Sequence, residues 1–116
     1  MPFPSPPPEN LPDDTDLLKA VLPPLLKDFQ HWFGRTTEML EAQNIEFMTP
    51  AQQQDLLTRV RTAQHQVNVS QALSAATDSR AGIDMPVVMA WHQLVHECWG
   101  VALRLRRERQ STQPDA

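Results

Sequence analysis

The sequence predicts an all-α fold, an antiparallel three-helix bundle with a proline-rich N-terminal tail. Three stretches carry apolar residues at steps of three and four, the period of one face of an α-helix, and no stretch alternates over the length of a strand. Short connections separate the stretches and favour antiparallel neighbours. The chain of 116 residues is long enough for one small domain.

The two ends of the chain differ in composition from the part between them. Six of the first twelve residues are proline, and the proline run at residues 6–8 favours extended polyproline II. We therefore predict a disordered tail over residues 1–12, a helical bundle domain over 13–109 and a disordered tail over 110–116. A ligand for an SH3 or WW groove is the alternative to a solvated leader.

The first predicted helix starts near the acidic residues Asp13, Asp14 and Asp16, which suit a helix N-terminus. Pro23 and Pro24 interrupt it, because each proline removes an N–H and crowds the carbonyl four residues earlier. The apolar phase continues through both prolines, so the first helix is expected to be kinked or broken there. The apolar stripe consists of Leu18, Leu22, Leu25, Leu26, Phe29, Trp32, Phe33, Thr36, Met39 and Leu40.

The second helix has a clear start signal. Thr49 and Gln52 have the spacing of a capping box, and Pro50 occupies the first helical position. Gln53 and Gln54 fall on the face predicted to meet water, and Gly82 is the expected left-handed residue after the helix. The apolar stripe consists of Leu56, Leu57, Val60, Ala63, Val67, Ser70 and Leu73.

The third helix carries two apolar strips. The main strip consists of Val87, Val88, Trp91, Leu94, Val95, Cys98, Ala102 and Leu105. Trp99 and Leu103 lie off this strip, on the side of His92 and His96, at steps of four, three and four. A second apolar strip is typical of a protein interface. The alternative is that Trp99 packs under the N-terminal arm around residues 17–22.

The candidates for chemistry are few. His92 and His96 can lie on one helix face, the geometry of two ligands to one metal ion. A zincin motif starting at His96 would need a second histidine where the chain has Gly100. Cys98 falls on the core strip, and three glycines cannot build a nucleophile elbow or a phosphate loop. We therefore expect no enzyme activity, no catalytic residue, no bound cofactor and no metal site.

Charge divides the chain into unlike halves. Residues 1–55 carry three bases and nine acids, a net −6, and residues 56–116 carry seven bases and five acids, a net +2. The total of −4 argues against nucleic-acid binding. The arginines at positions 104, 106, 107 and 109 are expected to complement the helix dipole, and they suit an acidic protein surface, including the acidic half of another copy. Peripheral contact with an anionic membrane is a weaker alternative.

The sequence also bears on location. No run of about 18 apolar residues exists to span a membrane. Residues 1–12 have neither the basic nor the apolar region of a secretory signal. We therefore expect a cytoplasmic protein.

Several segments resemble a cyanobacterial family of small helical proteins known only as a domain of unknown function. The matching segments, which are spread over most of the range 17–106, are residues 24–33 (PLLKDFQHWF), 54–60 (QDLLTRV), 82–85 (GIDM) and 91–99 (WHQLVHECW). The aromatic-rich element at residues 28–33 and the WHQL element at residues 91–94 are its specific parts. The resemblance implies an all-helical protein in a cyanobacterial, photosynthesis-associated setting, with no known reaction.

These observations favour a non-enzymatic protein–protein interaction module or small adaptor that self-associates, most simply as a homodimer. His31 and Trp32 are further candidate contacts. The residues predicted to bind a protein partner are His92, His96, Trp99, Leu103, Arg104 and Arg107. The alternative function is metal or tetrapyrrole binding through His92 and His96.

Overall fold

A computed structural model describes residues 14–78 and 82–112, which form three α-helices. These are α1 (Asp14–Ala42), α2 (Pro50–Ala76) and α3 (Met85–Thr112), and the described residues contain no strand. The predicted all-α class is confirmed. The proline-rich tail predicted over residues 1–12 lies outside the described residues.

The first helix is neither broken nor split at its two prolines. Pro23 and Pro24 are exposed and lie inside one continuous helix that runs from Asp14 to Ala42. Of the two forms predicted for the first helix, kinked or broken, only the broken form is therefore wrong. Leu22 and Leu26, on either side of the prolines, are both buried. Burial of both side chains favours a continuous helix here, although each proline lacks the backbone N–H that a helix uses.

The start of α2 confirms the predicted capping box. The Gln52 backbone N–H donates to Thr49 Oγ1 at 3.0 Å, and the Thr49 N–H donates to Gln52 Oε1 at 2.9 Å. Gln53, expected on the solvent face, instead ties the α1–α2 connection. Its Nε2 donates to the carbonyl oxygens of Leu40 (2.9 Å) and Gln43 (2.7 Å), and its Oε1 accepts from the Ile45 N–H at 3.0 Å.

The apolar face of α2 shifts by one position near its end. Ser74 is buried, whereas Leu73, which the sequence placed on the core stripe, is 49% exposed. Asp78 (φ 54°) follows the helix in the left-handed region, and Gly82 (φ 66°) adopts it too, as predicted. Lys19 Nζ and Asp78 Oδ2 form an ion pair at 2.7 Å that joins this end of α2 to α1.

Side-chain pairs define how the helices run. Glu41 of α1 pairs with Arg61 of α2, and Gln30 donates to Asn68. The later residue of α1 thus contacts the earlier residue of α2, so these two helices are antiparallel. Between α1 and α3 the order is the same in both helices, because Phe29 contacts Trp91 and Trp32 contacts Trp99. The chain is therefore an up-down-up bundle.

The core lies on the facing sides of the three helices. It consists of Leu22, Leu26, Phe29, Phe33, Leu40, Ile45, Leu56, Leu57, Val60, Ala63, Val67, Trp91, Val95 and Cys98. Trp32, Val87 and Ala102 were placed on core stripes by their spacing, but they are exposed. The helices are long relative to the core, which leaves apolar side chains at their flanks in contact with solvent.

The C-terminal end of the bundle also differs from the expected boundary. Helix α3 continues through Thr112, past the domain end drawn at Arg109. Among the residues described, no helix combines the length and the apolar character needed to cross a bilayer.

Candidate interaction site

Five aromatic side chains form a continuous series across the outer surface of α1 and α3, called here the aromatic ladder. It runs from His31 to Trp32, Trp99, His96 and His92, with successive ring centroids 5.1, 5.3, 5.3 and 4.5 Å apart. All five side chains are exposed. The contact between Trp32 and Trp99 is the one that joins the two helices.

Helix geometry explains the ladder. His92, His96 and Trp99 follow at steps of four and three, which place them on one face of α3. Trp32 reaches that face from α1, where its backbone carbonyl accepts a hydrogen bond from Thr36 Oγ1 at 3.0 Å. Successive rings meet edge to face, an arrangement that aromatic quadrupoles favour.

Beside the ladder, α1 and α3 form the two walls of an open groove of about 900 Å³. Trp32, Arg35 and Met39 belong to its α1 wall, and Trp99 and Leu103 belong to its α3 wall. Trp99 is 43% exposed and Leu103 is 48% exposed. The groove thus has apolar walls that are open to solvent.

Three arginines line the groove, but Arg104 and Arg107, the two predicted to bind a partner, are not among them. Arg35, Arg106 and Arg109 line it, and Arg109 donates to the side-chain oxygen of Gln43. Arg104 instead stacks on the Phe47 ring, with its guanidinium carbon 4.3 Å from the centroid, and its Nε lies 3.4 Å from Glu108 Oε1. Arg107 is exposed and is not part of the groove lining.

Beneath the exposed ladder lies a buried aromatic contact between the same two helices. Trp91 is 2% exposed, meets Phe29 edge to face at 5.5 Å, and donates through Nε1 to Gln66 Oε1 at 3.0 Å. Cys98 is buried in the core as predicted, and burial raises the pKa of its thiol. A buried thiol of raised pKa is a poor nucleophile.

An ion-pair cluster on the other side of α3 was not identified from the sequence. The Arg59 guanidinium donates to both carboxylate oxygens of Glu97 at 2.7 Å and to Asp55 Oδ2 at 2.8 Å. Its hydrogen bonds to Glu97 hold the pKa of that carboxyl below its ordinary value, and they raise the pKa of the Arg59 guanidinium. The cluster links α2 to α3.

His92 and His96 are the residues considered for a metal. Their ring centroids are 4.5 Å apart on adjacent turns. Within the described ranges, no group of three or more His, Cys, Asp or Glu side chains is arranged to hold a metal ion. The pair therefore offers two adjacent imidazoles and no complete protein ligand set in this part of the chain.

The structure brings together four of the six predicted contact residues: His92, His96, Trp99 and Leu103. It adds His31 and Trp32, the two further candidates. The alternative that Trp99 lies under residues 17–22 is wrong, because Trp99 contacts Trp32 and His96. Arg35, Met39 and Arg106 were not among the predicted partner-binding residues, since inter-helix register decides which flank residues face each other.

The fold and the site define a small three-helix protein with an exposed aromatic surface between two parallel helices. Residues 12–107 match a family described as a protein of unknown function (DUF2605), and the chain belongs to that family. The resemblance to a family of helical proteins of unknown function is thereby confirmed. No curated protein and no solved structure matches the chain.

Proposed function

We propose that this protein is a non-enzymatic helical interaction module, a small adaptor that self-associates and binds a protein partner through the aromatic ladder and the adjoining groove. One observation carries the proposal: Trp32 and Trp99 join α1 and α3 into one exposed aromatic surface. The core already contains its own aromatic contact between these helices, formed by Phe29 and Trp91.

The chemistry of the surface supports a protein partner. Tryptophan and arginine are enriched among the residues that dominate binding free energy at interfaces. The groove combines Trp32 and Trp99 with Met39 and Leu103, and Arg106 lies at its edge. A partner helix placed in this groove would cover apolar side chains that now contact water, a common mode of helix recognition.

The non-enzymatic part of the proposal rests on the state of the one cysteine. Cys98 is buried, and the raised pKa of its thiol keeps it protonated at neutral pH. The exposed histidines of the ladder contact aromatic rings, as His96 contacts Trp99. These contacts suit recognition better than they suit acid–base chemistry.

A capture experiment with matched variants tests the proposal. Leu103 and Leu73 have nearly the same exposure, 48% and 49%, but only Leu103 lines the groove. We expect tagged wild-type protein and Leu73→Ala to retain the same proteins from a lysate and to have the same mass by light scattering. Leu103→Ala and Trp99→Ala should lose those proteins or that mass. Unchanged capture and mass in both groove variants would contradict the proposed site.

The choice of lysate follows from the family resemblance. Because that resemblance implies a cyanobacterial, photosynthesis-associated setting, a cyanobacterial lysate is the appropriate source. The comparison between Leu103→Ala and Leu73→Ala identifies proteins that depend on the groove. The binding of proteins that recognise any exposed leucine should be weakened equally by both substitutions.

Binding of a metal or a tetrapyrrole through His92 and His96 is the second candidate function. It is favoured by the 4.5 Å separation of the two exposed rings and by the neighbouring Trp99. Elemental analysis and the absorption spectrum of the purified chain test it, followed by titration with zinc and with haem. Binding that His92→Ala and His96→Ala each abolish would support this function, and a protein that takes up neither ligand would exclude it.

A further inference from the structure

Helix α1 carries an exposed stripe beside its core face, called here the α1 stripe. It consists of Asp28, Trp32, Arg35 and Met39, at steps of four, three and four. Met39 is partly buried and the other three are exposed, and Trp32, Arg35 and Met39 also line the groove. The stripe therefore faces the same surface as the aromatic ladder.

The two charged residues of the α1 stripe lie on either side of Trp32, about one helical turn away from it. Asp28 lies four residues before Trp32 and Arg35 lies three residues after it. The side chains of Asp28 and Arg35 have no hydrogen bond or ion pair with the described part of the chain. Arg59, Arg61 and Lys19, in contrast, each have a carboxylate partner.

This arrangement is complementary to itself in one orientation. If a second α1 packs antiparallel to the first with a two-fold axis beside Trp32, Asp28 of each copy faces Arg35 of the other. Two-fold symmetry then creates two ion pairs, because each copy contributes one Asp28 and one Arg35. In a parallel arrangement Asp28 would face Asp28 and Arg35 would face Arg35, which is unfavourable.

We propose that the occupant of this surface is a second copy of the chain, bound through an antiparallel contact between the two α1 helices with Trp32 at its centre. This inference rests on the proposed function and specifies the geometry of its self-association. The same register places Met39 opposite Pro24 of the second copy, and Val21 opposite Ala42. Because Trp32 contacts Trp99, the axis passes near both aromatic ladders and brings them face to face.

Charge exchange between copies tests this geometry. Asp28→Arg places a positive charge opposite Arg35 of the second copy, and Arg35→Asp places a negative charge opposite Asp28 of the second copy. We expect each variant to raise the dissociation constant of the dimer about tenfold in sedimentation equilibrium at low salt. A mixture of the two variants should form a heterodimer with nearly wild-type affinity, because every facing pair is again opposite in sign. The double variant D28R/R35D should dimerise with nearly wild-type affinity for the same reason.

The matched control is Lys27→Glu, which reverses an exposed charge next to Asp28 but off the α1 stripe. It should leave the dissociation constant near that of the wild type. Circular dichroism should show the same helix content in all variants, since the side chains of Asp28 and Arg35 have no ion pair or hydrogen bond within the described residues. Restoration by mixing is an effect that altered folding of either variant does not produce.

The outcomes separate this geometry from the proposed function. If Trp99→Ala weakens self-association while neither charge variant does, the ladder is an interface and the antiparallel α1 contact is wrong. A wild-type chain that is monomeric at every concentration also overturns the α1 contact. The capture experiment with Leu103→Ala and Leu73→Ala then tests separately whether the groove binds a protein partner.

Discussion

Trp32 of α1 and Trp99 of α3 meet edge to face, with their ring centroids 5.3 Å apart and their planes at 80°. The buried pair of Phe29 and Trp91 makes a similar contact between the same helices, at 5.5 Å and 65°. One pair is in the core and the other faces solvent. The outer pair therefore adds little to the core and leaves aromatic surface available to a partner.

The two tryptophans of α3 should differ in their effect on stability. Trp91→Ala removes a buried side chain and leaves the Gln66 amide without its donor, so we expect a loss of about 3–5 kcal/mol in the free energy of unfolding. Trp99→Ala removes a half-exposed ring and its edge-to-face contacts with Trp32 and His96, and should cost about 1 kcal/mol. Urea denaturation of both variants measures the difference. Equal losses would show that Trp99 is a core residue.

Gln53 should contribute more to stability than its polar character suggests. Gln53→Ala removes the three hydrogen bonds that join α2 to the end of α1 and to the connection between them. We expect the free energy of unfolding to fall by about 1–3 kcal/mol. Gln53→Glu should also destabilise the protein, because a carboxylate cannot donate to the carbonyl oxygens of Leu40 and Gln43. Gln54 is exposed, and its side chain donates to the Thr58 hydroxyl. Gln54→Ala is therefore the control, expected to be nearly neutral in thermal unfolding.

Local signals in the sequence are sufficient to predict the three helices and the start of α2. The Thr49 capping box involves residues three positions apart, so it is visible without any knowledge of the fold. The role of Gln53 is not visible in this way. Its partners belong to the end of α1 and the following loop, and a glutamine next to a capping box is indistinguishable from a solvent-facing one.

The candidate site was predictable in part for the same reason. His92, His96 and Trp99 share one helix face, and their spacing alone identifies it. Arg35 and Arg106 come from two different helices, and only the parallel register of α1 and α3 brings both to the groove. Ser74 shows a related limit, since steps of three and four allow either Leu73 or Ser74 to face α1. In the structure Ser74 faces α1, where it lines an open pocket of about 340 Å³ with Pro23 and Leu26.

The ion pair between Arg59 and Glu97 predicts a pH dependence of stability. The pKa of Glu97 is lower in the folded protein than its ordinary value of 4.5. As the pH falls, Glu97 therefore binds a proton in the unfolded state before it does so in the folded state. The stabilisation by the ion pair is fully present above the ordinary pKa and is lost as the pH falls through the lower pKa of the folded state. Because both side chains are exposed, the contribution should be at most about 1 kcal/mol.

Unfolding of wild-type protein and Glu97→Gln as a function of pH tests this contribution. The wild type should be more stable at pH 7, and the difference should disappear in acid as the pH falls through the lowered pKa of the folded carboxyl. High salt should reduce the difference at pH 7 because the pair is exposed to screening. A difference that persists in strong acid would show that the substitution acts through packing and not through the charge of Glu97.

Cys98 should report the opening of the bundle. Its side chain is buried, and burial raises the pKa of the thiol, so both accessibility and thiolate fraction are low in the folded state. We expect slow alkylation of the native protein, at a rate that increases with urea in parallel with the unfolded fraction. Trp91→Ala should accelerate alkylation at neutral pH, because it loosens the core that contains Cys98. Trp99→Ala should have a much smaller effect, and fast alkylation of the wild type in the absence of urea would show that α3 opens without global unfolding.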